Sequence, residues 1–114
     1  MLIVYGIKTC QSVQKALRFF KAHDIEASFF DFRKDDLDED KINSWVEKSD
    51  INILFNTKGL KYRTLKLKEL NLDEKGKISW LNKEPMLFKR PVIEYNDKLL
   101  VGFDEELYKK TFLN

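Results

Sequence analysis

The only cysteine of the chain, Cys10, lies between a short apolar run and the start of a helical pattern. Residues 1–5 are Met-Leu-Ile-Val-Tyr, and their lack of polar alternation predicts a strand that is buried on both faces and central in a sheet. Gly6 permits a sharp exit from that strand. Beyond Cys10, apolar residues recur at helical spacing, at Val13, Ala16, Leu17 and Phe20. The pattern therefore places the thiol where a strand passes into a helix.

A thiol at the first turn of a helix has surroundings that favour its ionised form. Free backbone N–H groups and the positive end of the helix dipole stabilise a thiolate, and reactive cysteines have a pKa of roughly 3.5–7.5 instead of about 8.5. Thr9 or Ser12 is the expected helix cap. The alternative for a lone cysteine is a small buried hydrophobe without a chemical role. We expect a nucleophile, because a polar loop between a strand and a helix is not where a core needs filling.

The two ends of the chain predict a mixed sheet. Residues 27–32 read as an aromatic-rich second strand, parallel to the first because a helix connects them in a right-handed βαβ unit. Residues 92–95 and 99–101 read as a hairpin antiparallel to the first strand. A last helix follows, capped by Asp104, with an inner side at Leu107, Tyr108 and Phe112. This β-α-β…β-β-α order predicts a thioredoxin-like α/β fold with a four-stranded mixed sheet.

A helical region of approximately residues 36–85 separates the two halves of the sheet. Its first helix reaches about Lys48, with Ile42 and Trp45 in the apolar stripe. The pattern then breaks into an apolar piece at 51–55 and leucines at 65, 67, 70 and 72. The region ends in a helix around 78–83, with Trp80 and Leu81 inward, which Pro85 stops.

Arg90 and Pro91 are the second place where the sequence could carry chemistry. In a thioredoxin-like topology, the proline that leads into the third strand lies beside the reactive cysteine, and this context favours a cis Arg90–Pro91 bond. Arg90 would then bring a positive charge and a planar fork of donors close to the thiolate. The alternative is a surface arginine that follows a lysine.

Length and cysteine count limit the classes of protein that need considering. A chain of 114 residues predicts a single domain spanning 1–114. One cysteine excludes internal disulfides and zinc sites built on cysteine clusters. The absence of a signal-peptide pattern and of long apolar runs indicates the cytoplasm and no membrane segment.

Charged residues favour structural interpretations over metal or nucleic-acid binding. The acids between 31 and 50 fall at the start of a helix, where its dipole favours them, and His23 suits a helix C-terminus. We therefore predict no metal site. The basic run 58–68 is interpreted as a solvated face, with a small anion or a partner protein as alternatives. A net charge of +2 does not favour direct nucleic-acid binding.

Several segments together resemble the ArsC-like family, which contains glutaredoxin-coupled arsenate reductases, Spx regulators and YffB-type proteins. The resemblance runs nearly end to end. The segments that carry it are Tyr-Gly-Ile-Lys-Thr-Cys at 5–10, Phe-Asp-Phe-Arg-Lys at 30–34, Leu-Phe-Asn-Thr-Lys-Gly at 54–59, Lys-Arg-Pro-Val at 89–92 and Leu-Val-Gly-Phe at 100–103.

The resemblance implies a thioredoxin fold with an inserted helical region, a nucleophilic Cys10, an Arg90 before a cis Pro91, and reduction completed by glutathione. Two departures matter. Two of the three arginines that surround arsenate in the reductases fall on Asn56 and Gly102, which carry no charge. The second cysteine of the Spx redox switch is replaced by Val13. The sequence is therefore most similar to the YffB-type branch.

These features predict an oxidoreductase in which Cys10 attacks a disulfide or an oxidised sulfur. Glutathione is the expected co-substrate, glutaredoxin a further candidate partner, and no bound cofactor is expected. Candidate contacts for the glutathione carboxylates and backbone are Lys8, Lys58, Lys61 and Arg63, with Asn56 and Thr57 as neutral donors. The alternatives are an arsenate reductase, and a Spx-like binding protein that contacts RNA polymerase through the 58–68 run.

Overall fold

The computed structural model describes residues 1–113. They divide into two compact units, Met1–Arg33 together with the segment from Arg90 onward, and Lys34–Lys89. That the two units form the single predicted domain 1–114 stays a prediction. The last residue of that predicted domain, Asn114, lies outside the described residues. Among residues 1–113, no helix is both long and apolar enough to cross a membrane.

The strands lie toward the two ends of the chain, and four helices follow one another between the second and third strands. In order, the elements are β1 (Leu2–Gly6), α1 (Gln11–Ala22), β2 (Ser28–Asp31), α2 (Glu39–Lys48), α3 (Ile51–Leu54), α4 (Leu60–Thr64), α5 (Glu74–Lys83), β3 (Val92–Tyr95), β4 (Lys98–Val101) and α6 (Glu105–Phe112), with 3₁₀ turns at Leu67–Leu70 and Pro85–Leu87.

The first unit contains a four-stranded sheet in the order β2-β1-β3-β4. β1 is parallel to β2, with Tyr5 opposite Phe30, and antiparallel to β3, with Tyr5 opposite Val92. β3 and β4 form an antiparallel hairpin. The predictions of a central first strand and of a thioredoxin-like mixed sheet are confirmed.

The core of this unit lies between the sheet and its two helices. Its buried members come from β1, α1, β3, β4 and α6: Leu2, Val4, Val13, Ala16, Phe19, Phe20, Ile93, Leu100 and Tyr108. The Tyr108 ring lies 5.5 Å from Phe19 and 5.7 Å from Phe20, within the range of favourable aromatic pairs. Leu107, predicted to face inward, is 46% exposed. It lies about 100° around the helix from Tyr108, which takes the inner face together with Phe112 one turn later.

Gly6 has a packing role that the sequence prediction missed. It is the last residue of β1 and pairs with Asp31. A Cβ added at Gly6 would lie 2.5 Å from Cγ2 of Val13, which is fully buried in α1. The absence of a side chain therefore lets α1 approach the end of β1 closely, whereas the sequence assigned Gly6 only to the turn.

We predict that Gly6→Ala destabilises the protein by about 1–3 kcal/mol, because it overpacks the contact with Val13. At a compatible position the same change would stabilise by about 0.4–1 kcal/mol, so the sign is informative. The change in the free energy of unfolding is measured by urea denaturation of four proteins: the parent, Gly6→Ala, Val13→Ala and the double variant. The alanine at residue 6 should cost less when residue 13 is also alanine, and an equal cost in both backgrounds would contradict the explanation.

The second unit, Lys34–Lys89, contains α2 to α5. Asp38 caps α2 by accepting the Asp40 N–H at 3.1 Å, and Ile42 and Trp45 are fully buried, as predicted. α5 begins at Glu74, four residues before the predicted start, because Asp73 accepts the Gly76 N–H at 2.8 Å and caps an earlier turn.

The inner face of α5 is narrower than predicted. Leu81 is fully buried, but Trp80 is only half-buried, with the Lys83 ammonium 5.3 Å from its ring centroid. The aliphatic stem and charge of a lysine can cover an indole face in this way, which removes the need for full burial.

The leucine-rich stretch 65–72 does not form a continuous helix. Lys66 and Asn71 take left-handed backbone, with φ of 56° and 47°, at either side of the 3₁₀ turn Leu67–Leu70. Leu67 is buried, whereas Leu65 and Leu70 are 37% and 54% exposed. Left-handed residues redirect the chain, so the leucines cannot share one helical face.

Candidate active site

Cys10 is the N-cap residue of α1. Its N–H donates to the Ile7 carbonyl at 3.3 Å, and its carbonyl accepts the Gln14 N–H at 3.0 Å, the first bond of the helix. The Gln14 side-chain amide also donates to the Lys8 carbonyl at 2.7 Å. The loop from Ile7 to Cys10 is thereby tied to the helix that it leads into.

The predicted cap at Thr9 or Ser12 is wrong. Cys10 itself occupies the N-cap position, with Thr9 before the helix and Ser12 inside its first turn. The N-cap position therefore carries neither a hydroxyl nor a carboxylate that would accept the first amides of the helix. The first amides of α1 therefore remain available to the Cys10 sulfur when it ionises.

The surroundings of the thiol lower its pKa. Partial burial opposes ionisation, but the Val13 N–H, the Arg90 side chain and the Ser12 N–H all favour the thiolate and together outweigh burial, so the Cys10 pKa lies below that of an ordinary thiol. The residue is only half-buried. The structure thus combines an activated sulfur with access from solvent.

Arg90 and Pro91 precede β3, and their peptide bond is cis, as the resemblance implies. Arg90 is half-buried and within hydrogen-bonding reach of Cys10. The Pro91 carbonyl accepts the Gly102 N–H at 2.8 Å, and the Gly102 carbonyl accepts the Tyr108 hydroxyl at 2.7 Å.

This chain of hydrogen bonds assigns positioning roles that the sequence did not indicate. The sequence places Tyr108 on the inner side of the last helix and gives Gly102 only as the position of an arginine of the arsenate reductases. Gly102 has φ of 86°, a conformation that favours glycine. A glycine directly after a strand and a tyrosine six residues later were the visible signals.

A side-chain hydrogen bond joins β1 to β3 near the loops that carry Cys10 and Arg90. The Tyr5 hydroxyl donates to the Glu94 carboxylate at 2.6 Å. Burial and the nearby carboxylate raise the Tyr5 pKa, so the phenol remains the donor. This bond fixes the strand ends from which the Cys10 and Arg90 loops leave.

The predicted glutathione contacts fall in both units. Lys8 is exposed in the first unit. In the second unit, the Asn56 side chain accepts the Lys58 N–H at 3.1 Å in the turn before α4, and Lys61 lies 3.7 Å from the Glu84 carboxylate. Thr57, Lys58 and Arg63 are exposed. The charge of Lys61 therefore faces an acid of its own unit.

Other polar groups have structural explanations. His23 is the C-cap residue of α1, as predicted, and its ring lies 4.5 Å from that of Phe19. The acids Asp38, Glu39 and Asp40 lie at the start of α2, also as predicted. Within residues 1–113, no three His, Cys, Asp or Glu side chains gather as a metal site.

The sheet order, with a cysteine at the start of α1 and a cis-proline before β3, defines a thioredoxin-like protein. Residues 5–111 match the ArsC family, and the chain belongs to that family. The resemblance seen in the sequence is confirmed.

Three similar proteins extend over almost the whole chain. An uncharacterised protein of Haemophilus influenzae is 36% identical over 113 residues, covering 98% of this chain and 99% of that protein. The solved structure of a YffB protein has a TM-score of 0.90 at 28% identity, covering 96% of this chain and 97% of that one. The global transcriptional regulator Spx of Streptococcus mutans is 26% identical over 109 residues, covering 93% of this chain and 79% of that protein.

We predict that Arg90→Gln shifts the pH profile of Cys10 alkylation to higher pH, because a charged donor that stabilises the thiolate is lost. The alkylation rate of Arg90→Gln below neutral pH should be several-fold lower than that of the parent. The rate of Arg90→Lys should lie between those of the parent and Arg90→Gln. Arg18→Gln removes a positive charge from an exposed position of α1, about two turns from Cys10, and should leave the profile unchanged. An unchanged profile in Arg90→Gln, or the same shift in Arg18→Gln, would contradict this role of Arg90.

Proposed function

We propose that the protein is a glutathione-dependent thiol–disulfide reductase with Cys10 as its single nucleophile. The observation that carries the proposal is the half-exposed Cys10 thiol whose pKa is lowered by the amides of α1 and by Arg90. The thiolate is the attacking form in disulfide exchange, and a moderate lowering of its pKa increases its share at neutral pH. Membership of the ArsC family supports a thiol redox role.

The reaction proceeds through two mixed disulfides, one between Cys10 and the substrate and one between glutathione and the substrate. The Cys10 thiolate attacks one sulfur of R–S–S–R′, so that a Cys10–S–S–R bond forms and R′S⁻ leaves, taking a proton from solvent. A glutathione thiolate then attacks the R-side sulfur of this bond, so that a G–S–S–R bond forms and the Cys10 thiolate leaves. A second glutathione releases RSH and gives oxidised glutathione. Two glutathione molecules thus supply the two electrons, because the chain has one cysteine and no resolving thiol of its own.

Arg90 has the same function in both steps. Its guanidinium stabilises the Cys10 sulfur as an attacking thiolate and again as a leaving thiolate. Glutathione is anionic, so Lys8, Lys58, Lys61 and Arg63, with Asn56 and Thr57 as donors, stay the predicted contacts. Of the four cations, we expect Lys61 to contribute least, because Glu84 already faces it.

Arsenate is a poorer fit as the substrate. Where the reductases of the family carry two further arginines, this chain has Asn56 and Gly102. Asn56 supplies no charge, and the φ of 86° at Gly102 is a conformation that an arginine adopts only with strain. A single guanidinium, that of Arg90, would have to neutralise the oxyanion.

The proposal predicts that oxidised glutathione forms a mixed disulfide with the parent and that Cys10→Ser abolishes it. Intact-protein mass spectrometry detects the adduct. Turnover of bis(2-hydroxyethyl) disulfide with reduced glutathione should also be lost in Cys10→Ser and kept in Ser12→Ala, a matched change within the same helical turn. An adduct on Cys10→Ser, or no turnover by the parent, would refute the proposal.

The similarity to Spx favours a second candidate, a protein that binds RNA polymerase. Val13 occupies the place of the second cysteine of the Spx switch and is fully buried, so such binding would not be controlled by an internal disulfide. Capture of RNA polymerase that is unaffected by Cys10→Ser, together with no disulfide turnover by the parent, would favour this candidate over the reductase.

A further inference from the structure

The second unit contains a pocket of about 340 Å³ that is distinct from the Cys10 thiol. Its apolar lining comes from α4 and from the segments between α3 and α5: Phe55, Tyr62, Leu67 and Leu72. The Phe55 and Tyr62 rings meet edge to face at 5.9 Å, and Leu67 is buried. This volume is at the lower end of the range for small-molecule sites, so it suits a body of about one ring.

Two lysines supply the charge of the pocket. Lys68 and Lys77 both line it, and the Lys77 ammonium lies 5.9 Å from the centroid of the Phe55 ring. The Lys77 ammonium also donates to the Asn52 side-chain oxygen at 2.9 Å, which holds it in place. Thr57 and Asn71 add neutral polar groups.

Acidic side chains do not offset this charge inside the pocket. None of the described residues that line it is acidic. Asp73 directly follows the lining residue Leu72, but its carboxylate accepts the Gly76 N–H and caps α5. The electrostatic character of the pocket is therefore positive, over an apolar floor.

The backbone beside the pocket is unusual for its sequence. Lys66 has φ of 56° and Asn71 has φ of 47°, and they bracket the turn that carries Leu67 and Lys68. For a lysine, this conformation costs about 1–2 kcal/mol. Such residues persist where the surrounding structure needs them, and they are concentrated at ligand sites.

We propose that this pocket binds a small organic anion with a ring-sized apolar body and a phosphate or carboxylate head. The body contacts Phe55, Tyr62 and Leu72, and the head pairs with the ammonium groups of Lys68 and Lys77. The ligand needs both its apolar body and its anionic head, because the apolar side chains orient it and the two lysines select for negative charge. The site goes beyond the proposed reductase function and does not depend on Cys10.

Phenyl phosphate is the probe that tests the site, with inorganic phosphate as the head alone and benzyl alcohol as the ring alone. In an amide NMR titration of the full chain, phenyl phosphate should give saturable shifts at Phe55, Tyr62, Lys68 and Lys77. The two partial probes should bind at least about tenfold more weakly. Added salt should weaken the binding of phenyl phosphate, since salt screens the charges of exposed side chains.

Matched lysine variants identify the groups that bind the head. Lys68→Gln and Lys77→Gln should each weaken phenyl phosphate several-fold, while Lys77→Arg keeps most of the affinity. Lys75→Gln makes the same charge change on the exposed side of α5 and should have no effect. Unchanged amide spectra away from the pocket establish that each variant is folded.

Several outcomes would overturn the inference. They are the absence of saturable shifts at the pocket amides, equal affinity for benzyl alcohol or inorganic phosphate, and an equal loss in Lys75→Gln. Cys10→Ser should bind phenyl phosphate as the parent does, because the lining residues that the structure describes all belong to the second unit. Failure of the reductase proposal and failure of this one are therefore separable.

Discussion

Negative charge on the Cys10 sulfur is stabilised by groups from two distant parts of the chain. The fold of the first unit brings these groups together. The amides come from the first turn of α1, which directly follows the cysteine, and the guanidinium comes from Arg90. The antiparallel pairing of β1 with β3, in which Tyr5 faces Val92, brings the end of one strand beside the start of the other. The loop that carries Cys10 and the loop that carries Arg90 therefore lie at the same end of these two central strands.

Tertiary contacts hold that end of the sheet in place. The close approach of Gly6 and Val13 sets the distance between β1 and α1, and the Tyr5–Glu94 hydrogen bond joins β1 to β3. On the other side, the Pro91 carbonyl is bonded to the Gly102 amide and the Gly102 carbonyl to the Tyr108 hydroxyl. Each contact restrains the position of the sulfur or of the guanidinium without touching either reacting atom.

The sequence predicted what depends on local periodicity and missed what depends on contacts across the fold. An unbroken apolar run and a helical stripe were enough to predict β1, α1 and their junction at Cys10. The role of Gly6 could not be seen, because it depends on which helical residue faces it. Leu107 was predicted to face inward because periodicity alone does not fix the phase of a helix this short. The sequence analysis also missed the Asp73 cap, which starts α5 four residues before the predicted start. The contribution of Tyr108 to the active-site loop depends on a hydroxyl bonded to a carbonyl, which leaves no trace in a hydrophobic pattern.

The basic stretch of the second unit shows the same limit. In the sequence, residues 58–68 read as one charged run, but the structure separates its members. Lys61 faces Glu84, while Lys68 lines an apolar pocket with Lys77, a residue outside the run. The left-handed Lys66 causes much of this separation, since it ends the helical repeat between the two lysines.

Ultraviolet absorbance of the thiolate against pH tests the central claim most directly. The folded parent is compared with the parent unfolded in urea, and Cys10→Ser in each state gives the blank for tyrosine. Because the amides and Arg90 stabilise the charged form, the account predicts a midpoint in the folded protein below that of the unfolded chain. A folded midpoint equal to or above the unfolded one would contradict it.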